Sequence, residues 1–127
     1  MFASTAIAES VNDAAPTWYD VCAINDILPF TGVAALIDGQ QIAIFRLPSA
    51  RADAAQCCAI SNYDPFSKAN VISRGLVGDK NGILKVASPI YRNTFNLLTG
   101  QCLEDQSVRL RTWSTRIVDG VIQIAIS

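Results

Sequence analysis

Apolar and polar side chains alternate along short stretches of this chain, and residues typical of turns follow each stretch. The clearest case is Val121–Ile126, where a two-residue period predicts a strand that turns three isoleucines towards the core, namely Ile122, Ile124 and Ile126. No stretch shows the 3.6-residue spacing of a long amphipathic helix. The pattern therefore predicts an all-β domain.

Two Asp-Gly pairs predict β-hairpins. Asp38-Gly39 joins residues 33–37 to residues 41–46, and Asp119-Gly120 precedes Val121–Ile126. Asp-Gly favours the type I′ turn, because this turn needs positive φ at both central positions and matches the twist of paired strands. We expect each pair to connect two antiparallel strands.

The strand before Asp119-Gly120 is predicted over residues 108–118. Its alternation weakens between Trp113 and Thr115, where we expect a β-bulge. A turn is predicted over residues 79–82, and one short helical turn over residues 67–73. Further strands are predicted at residues 18–22, 57–60, 83–87 and 94–97.

Short strands separated by turns predict an antiparallel β-sandwich or a partly open barrel. Residues 1–16 are rich in alanine and end at Pro16, which predicts a flexible N-terminal tail. Residues 17–127 are predicted to form one domain, and a chain of 127 residues is long enough for one.

The composition indicates which classes of protein this chain could belong to. Half of the residues are hydrophobic, 17% are charged and the net charge is −1, which is typical of a globular protein. No basic stripe suggests a nucleic-acid partner, and no apolar run is long enough to cross a membrane. The apolar N-terminal residues have no preceding Lys or Arg, so they make a poor signal peptide and we expect a cytoplasmic protein.

The sequence contains no histidine. The Ser-His-Asp and Cys-His arrangements of hydrolases are therefore excluded. Asp64 and Asp105 remain as candidate acid–base residues, but isolated acids in loops more often cap turns or face solvent. Glu104-Asp105 is most simply a polar turn.

The four cysteines do not have the Cys-x-x-Cys spacing of zinc or iron sites. We expect reduced thiols that pack as small apolar side chains, with adjacent cysteines on opposite faces of a strand. Trp18 and Trp113 are predicted to pack within strands. Three arginines are predicted on the solvated side of a strand, with a basic rim for an acidic partner as the alternative: Arg109, Arg111 and Arg116.

Two segments carry a resemblance to a known family. The first reads Asn62-Tyr63-Asp64-Pro65-Phe66 and continues to Ser73-Arg74-Gly75, and the second runs from Ala87-Ser88-Pro89 to Thr99-Gly100. They resemble the two loops of a Rieske-type domain, which normally carry Cys-x-His and Cys-x-x-His. From residue 17 to 126 the chain is more closely similar to the small subunit of cytosolic NAD(P)H-dependent nitrite reductase, a Rieske-like family without the cluster.

The resemblance places Asn62 and Asp64 at the first pair of ligand positions, and Ser88 and Tyr91 at the second pair. A Rieske centre needs two thiolates and two imidazoles, so the resemblance implies no metal, cofactor-binding or catalytic residue in this chain. We favour a loop-stabilising role for Asn62 and Ser88.

The family also implies a partner, the nitrite reductase large subunit, which would carry FAD, siroheme and an iron–sulfur cluster and make ammonium from nitrite. This chain would support its assembly, stability or electron path. If the two loops meet at one tip, aromatic and arginine side chains there are candidates for docking: Tyr63, Phe66, Arg74, Tyr91 and Arg92.

Three alternatives stay open at this point. The chain could be a Rieske-type, ferredoxin-like electron carrier, although the missing histidine argues against it. It could be a generic protein-interaction module for another oxidoreductase, or a structural remnant. None of the three predicts a nucleic-acid or membrane partner.

Overall fold

The computed structural model describes residues 15–48 and 56–126, and its regular structure is mostly β-strand. The strands are β1 (Thr17–Ala23), β2 (Gly32–Ile37), β3 (Gln40–Leu47), β4 (Gln56–Ser61), β5 (Tyr63–Asp64), β6 (Ala69–Asn70), β7 (Leu76–Lys80), β8 (Ile83–Ala87), β9 (Thr94–Asn96), β10 (Thr112–Trp113), β11 (Thr115–Val118) and β12 (Val121–Ile126). Two single-turn 3₁₀ helices cover Ile24–Asp26 and Ile72–Arg74.

The strands form separate antiparallel sheets. A four-stranded sheet has the order β10-β4-β3-β2, and two three-stranded sheets have the orders β11-β12-β1 and β9-β8-β7. Strands β5 and β6 form a small two-stranded sheet. The all-β prediction is confirmed, as an arrangement of packed sheets without a closed barrel among the described strands.

The two central strands of the four-stranded sheet, β3 and β4, are buried on both faces, which explains their largely apolar sequences. Alternate residues of the two strands face one hydrophobic cluster that includes Phe45, Ile60, Val86 and Phe95. The residues between them face a second cluster with the isoleucines of β12. Cys57 and Cys58 accordingly lie on opposite faces, as predicted.

The predicted hairpin turns are confirmed by their backbone angles. Asp38 and Gly39 have φ of 51° and 75°, and Asp119 and Gly120 have φ of 51° and 77°. Strand β12 alternates as predicted, with Ile122, Ile124 and Ile126 buried. A third hairpin joins β7 to β8 through Asn81-Gly82, within the predicted turn over residues 79–82.

The predicted strand over residues 108–118 is wrong in its extent. Only β10 and β11 are strands, and they belong to different sheets: Trp113 pairs with Ala59, whereas Thr115 pairs with Ile124. The chain passes between the sheets at Ser114, where a bulge was expected. The bulge that the structure contains lies on β1, where the register skips Val21.

Two further predictions concern a helical turn and the N-terminal tail. The helical turn predicted over residues 67–73 is wrong, because Ala69–Asn70 is a strand and the 3₁₀ turn comes later, at Ile72–Arg74. Most of the predicted N-terminal tail, residues 1–14, lies outside the described residues. No helix within the described ranges has the length and apolar character needed to cross a bilayer.

The tryptophans lie in strands as predicted, but of the three arginines predicted on the solvated side of a strand only Arg116 lies in one, while Arg109 and Arg111 precede β10. Both tryptophans are half-buried within strands, and each lies beneath a guanidinium: Arg116 over Trp18 at 4.0 Å and Arg111 over Trp113 at 4.8 Å. Arg111 also donates to Gln40. These arginines are exposed, as is Arg109, but two of the three are already engaged with neighbouring side chains.

Candidate functional site

The two loops singled out in the sequence begin side by side. The first follows β4 and ends at Gly75, and the second follows Ala87, the last residue of β8. A Cβ atom added to Gly75 would lie 2.4 Å from the carbonyl oxygen of Ala87, so the backbones approach closely and only glycine fits. This approach brings the ligand-equivalent positions of both loops to one end of the molecule.

Asp64 connects the two loops. Its Oδ2 accepts hydrogen bonds from the Ser88 hydroxyl at 2.5 Å and the Ser67 hydroxyl at 2.9 Å, and its Oδ1 accepts one from the Phe66 amide at 2.9 Å. Asp64 and Ser88 have exposed fractions of 0% and 1%. A buried carboxylate without a cation is thereby satisfied by three donors.

These donors also set the charge of Asp64. Burial by itself would raise the pKa of the carboxyl, but hydrogen bonds from Ser88, Phe66 and Ser67 outweigh it and hold the pKa below its usual value. Asp64 is therefore ionised at neutral pH. It acts as an acceptor that holds the loop, not as a proton donor.

Asn62 closes the first loop on itself. Its Oδ1 accepts from the amide of Ser73 at 2.7 Å, and its Nδ2 donates to the carbonyl of Asn70 at 3.3 Å. The amide of Ile72 donates in turn to the backbone carbonyl of Asn62. Asn62 is buried, so the loop-stabilising role predicted for Asn62 and Ser88 agrees with their hydrogen bonds.

Tyr91 differs from the other three ligand-equivalent residues because its side chain is 66% exposed. It lies in a tight turn in which the Arg92 amide donates to the Ser88 carbonyl at 3.0 Å. Arg92 has a φ of 62°, in the left-handed region that bulky residues rarely adopt. The turn therefore holds Tyr91 and Arg92 at the surface.

This donor set does not fit a Rieske [2Fe–2S] cluster. The positions hold an amide, a hydrogen-bonded carboxylate, a hydroxyl and an exposed phenol, where two thiolates and two imidazoles are needed. The sequence has no imidazole to offer. Among residues 15–48 and 56–126, no three His, Cys, Asp or Glu side chains are grouped closely enough to share a metal ion.

Comparison with known proteins assigns the family. A family model described as a Rieske-like [2Fe-2S] domain matches residues 17–125. The nitrite reductase (NADH) small subunit of Salmonella typhimurium is 47% identical over 107 residues, which cover 84% of this chain and 95% of that protein. The chain belongs to the nitrite reductase small-subunit family.

A solved structure agrees with this family. A crystal structure described as a putative NADH-dependent nitrite reductase small subunit from Mycobacterium tuberculosis superposes with a TM-score of 0.81 at 40% identity. The match covers 90% of this chain and 98% of that one. The Rieske-like fold expected from the loop motifs is thus confirmed for this small-subunit homologue.

A second kind of relative contains the domain within a longer chain. The nitrite reductase [NAD(P)H] large subunit of Klebsiella oxytoca is 32% identical over 107 residues, which make up 84% of this chain but only 11% of that protein. A domain of the small-subunit family therefore occurs both as a separate chain and as a segment of a protein named as a large subunit.

The cysteines of this family member are placed for packing. Cys58 and Cys102 lie in one hydrophobic cluster and Cys57 in the other, while Cys22 is half-buried beside it. Burial raises the pKa of all four thiols, and that of Cys58 to about 12. They are neutral thiols at physiological pH and poor metal ligands.

The predicted docking residues differ in how far their side chains are exposed. Tyr63, Arg74, Tyr91 and Arg92 are exposed. Phe66 is half-buried against the core, with its ring centroid 6.2 Å from that of Phe95. Its ring thus packs partly in the hydrophobic cluster, and the docking role of Phe66 stays a prediction.

One residue pair was missed in the sequence. Glu104, expected only as part of a polar turn, accepts hydrogen bonds from both the amide and the hydroxyl of Thr94. It ties the loop after Cys102 to β9. Asp105 does form the expected turn, with the amide and hydroxyl of Ser107 as donors. No local motif links Glu104 to Thr94, since the pair depends on the fold.

Proposed function

We propose that this chain is the small subunit of a cytoplasmic NAD(P)H-dependent nitrite reductase that makes ammonium from nitrite. It associates with a large subunit that carries FAD, siroheme and an iron–sulfur cluster. It holds no redox group and supplies no catalytic side chain. Its contribution is to the assembly and stability of the complex.

The observation that carries this proposal is the segment within the Klebsiella oxytoca large subunit. When a domain is covalently joined to a protein in one organism and encoded separately in another, the separate chain commonly binds the remaining part. In the fused protein, the covalent linkage keeps the domain at a high effective concentration beside the rest of the chain; as a separate chain, it must bind instead. The same two surfaces would then contact each other in the fused protein and in the complex of separate chains.

The buried hydrogen bonds at the loop tip support a role without a cofactor. Asp64 and Ser88 use their side chains to join the loops, and the Asn62 amide is committed to Ser73 and Asn70. These side-chain groups are already hydrogen-bonded within the protein, where they hold the backbone of the two loops in place. An electron carrier would need a redox centre that this donor set does not fit.

Co-expression tests the proposal. The chain and a nitrite reductase large subunit are produced together and separately, and nitrite-dependent NAD(P)H oxidation is measured. We expect the two chains to elute together and full activity only when both are present. Activity that does not depend on this chain, with no co-elution, contradicts the proposal.

Iron analysis separates the proposed subunit from an electron carrier. We expect the chain purified alone to contain far less than one iron and one acid-labile sulfide per chain, even after incubation with iron and sulfide under reducing conditions. Stoichiometric iron and sulfide with a visible absorption band would instead establish the ferredoxin-like alternative.

A further inference from the structure

An apolar cavity flanked by two arginines opens at the loop tip. Its volume is about 330 Å³, and its walls are formed by six residues from both sides of the close approach at Gly75: Arg74, Leu76, Ala87, Ser88, Pro89 and Arg92. Ser88 is fixed by its hydrogen bond to Asp64, so this part of the cavity wall is rigid.

Exposed large apolar side chains lie in the cavity wall and next to it in sequence. Leu76, in its wall, is 80% exposed, the highest value among the large apolar side chains of the described residues, and neighbouring Ile90 and Tyr91 are 47% and 66% exposed. Isolated exposed apolar residues are ordinary, but a group of them beside a cavity indicates an interaction site.

The two guanidiniums at the cavity have no partner within the described part of the chain. Arg46, Arg111 and Arg116 donate side-chain hydrogen bonds to protein oxygens. The Arg74 and Arg92 side chains donate none to another described residue. The carboxylate of Asp64 does not pair with them, because its donors are Phe66, Ser67 and Ser88.

The backbone at Arg92 is a second, independent observation. Five other non-glycine residues of the described chain have positive φ: Asp38, Asn81 and Asp119 occupy hairpin turns and are of types that tolerate it, whereas Phe30 and Lys68, like Arg92, are not. Arg has no such preference, and glycine would relieve the strain. Of Phe30, Lys68 and Arg92, only Arg92 lines the cavity, and strained backbone clusters at functional sites.

We propose that the tip surface, defined as Arg74, Leu76, Pro89, Ile90, Tyr91 and Arg92, docks the nitrite reductase large subunit. This inference rests on the proposed function. The matching segment of the partner is an apolar side chain flanked by carboxylates: the apolar group enters the cavity beside Leu76, and the carboxylates pair with Arg74 and Arg92. Tyr91 and Ile90 cover the pairs from solvent.

Binding of variants to the purified large subunit tests the surface, with the dissociation constant measured by calorimetry at several salt concentrations. The tip variants are Arg92→Gly and Leu76→Ser. Arg92→Gly removes the guanidinium and relieves the left-handed backbone, which offsets the freedom that glycine adds to the unfolded chain, so its melting temperature should be close to that of the wild type. A weakening of its binding is then not a folding defect.

The chain offers matched controls. Arg109→Glu changes the charge of an exposed arginine away from the cavity, and Leu36→Ser removes a leucine that is 68% exposed on β2. We expect each tip variant to weaken binding about tenfold or more, and each control less than about threefold. Salt should weaken the wild type more than Arg92→Gly, since one charge pair is already lost.

Three outcomes would overturn the inference. If the wild type binds the large subunit and the tip variants bind equally well, the interface lies elsewhere and the proposed function stands. If the wild type does not bind at all, the proposed function fails and this surface with it. If light scattering shows a wild-type dimer that the tip variants abolish, a second copy of the chain covers the surface instead.

Discussion

The hydroxyl of Ser88 donates to Oδ2 of Asp64 across 2.5 Å, and this hydrogen bond joins two loops whose residues lie 24 positions apart in sequence. In a Rieske-type domain both loops ligate the same cluster, which ties them together. Here a buried carboxylate and a hydroxyl make the connection at two of the equivalent positions. The two loops of this small-subunit homologue are thus linked by a side-chain hydrogen bond beside the close backbone approach at Gly75.

We expect Ser88→Ala to lower the free energy of unfolding by about 1–3 kcal/mol, because the buried carboxylate loses a donor that water cannot easily replace. Asp64→Asn should also destabilise the domain, since its amide nitrogen would face two hydroxyl donors. Urea denaturation measures both. The double variant should lose less than the sum of the single losses, because the two residues share one interaction.

Asp105→Asn is the matched control for these variants. Asp105 accepts from the amide and hydroxyl of Ser107 much as Asp64 accepts from Phe66 and Ser67, but at the surface. We expect a clearly smaller loss of stability than for Asp64→Asn. Equal losses at the two sites, or strict additivity in the double variant, would contradict the role given to the loop connection.

The stability contributed by Asp64 depends on pH in a defined direction. Its pKa in the folded protein is lowered despite burial, because the donors stabilise the carboxylate. The unfolded chain therefore binds the proton more readily, and the contribution is complete above about pH 4 and lost as the pH falls through the folded-state pKa.

Urea midpoints of the wild type and Asp64→Asn, measured from pH 7 down to pH 3, test this dependence. We expect a constant difference in the neutral range that shrinks in acid. The pKa of Glu104 is also lowered, by hydrogen bonds from Thr94 that outweigh the effect of burial, but Glu104 is present in both proteins and its titration cancels. A difference that does not vary with pH would show that the Asp64 charge contributes nothing.

Gly75 and Gly78 provide a test of the close approach between the loops. A Cβ at Gly75 would meet the Ala87 carbonyl at 2.4 Å, whereas a Cβ at Gly78 would meet only the end of the Lys85 side chain at 3.8 Å. We expect Gly75→Ala to cost about 1–3 kcal/mol through overpacking. Gly78→Ala should be neutral or slightly stabilising, since it reduces the freedom of the unfolded chain.

Thermal melting and urea denaturation of the two alanine variants give the comparison. Both substitutions add one methyl group within four residues of each other, so they differ chiefly in the contact that the methyl makes. Equal stability of the two variants would mean that the backbones of the two loops separate easily.

The thiols are expected to react slowly in the folded protein. Burial, the largest cause in each case, raises their pKa, and Cys58 reaches about 12, so little thiolate is present at pH 8. Mass spectrometry after iodoacetamide treatment should show Cys22 modified first, because it is the most accessible of the four. In urea all four should react within the same time, and rapid modification of Cys57, Cys58 or Cys102 in the native protein would conflict with this packing.

Much of the fold follows from local pattern. The Asp-Gly turns and the alternation of β12 are decided by residues near one another, so the sequence predicts them. The continuous apolar runs of β3 and β4 indicate strands covered on both faces. The chain crossing at Ser114 could not be predicted in this way, because it depends on which neighbouring sheet each strand segment joins.

The site shows the same division. The positions Asn62, Asp64, Ser88 and Tyr91 were found through the loop motifs, but their interactions were not. Besides its hydrogen bonds within its own loop, Asn62 donates to Gln41 of β3 through its backbone amide and its Nδ2. The Asp64–Ser88 hydrogen bond forms only when the two loops are adjacent, which depends on the fold. Phe66 points inwards because its ring packs against Phe95 in the core.

A connection made by a carboxylate and a hydroxyl forms as soon as the polypeptide brings them together. Its formation requires neither iron nor the proteins that assemble and insert iron–sulfur clusters. Oxidants that dismantle iron–sulfur centres do not break such a hydrogen bond. The link between the two loops is therefore as durable as the polypeptide itself.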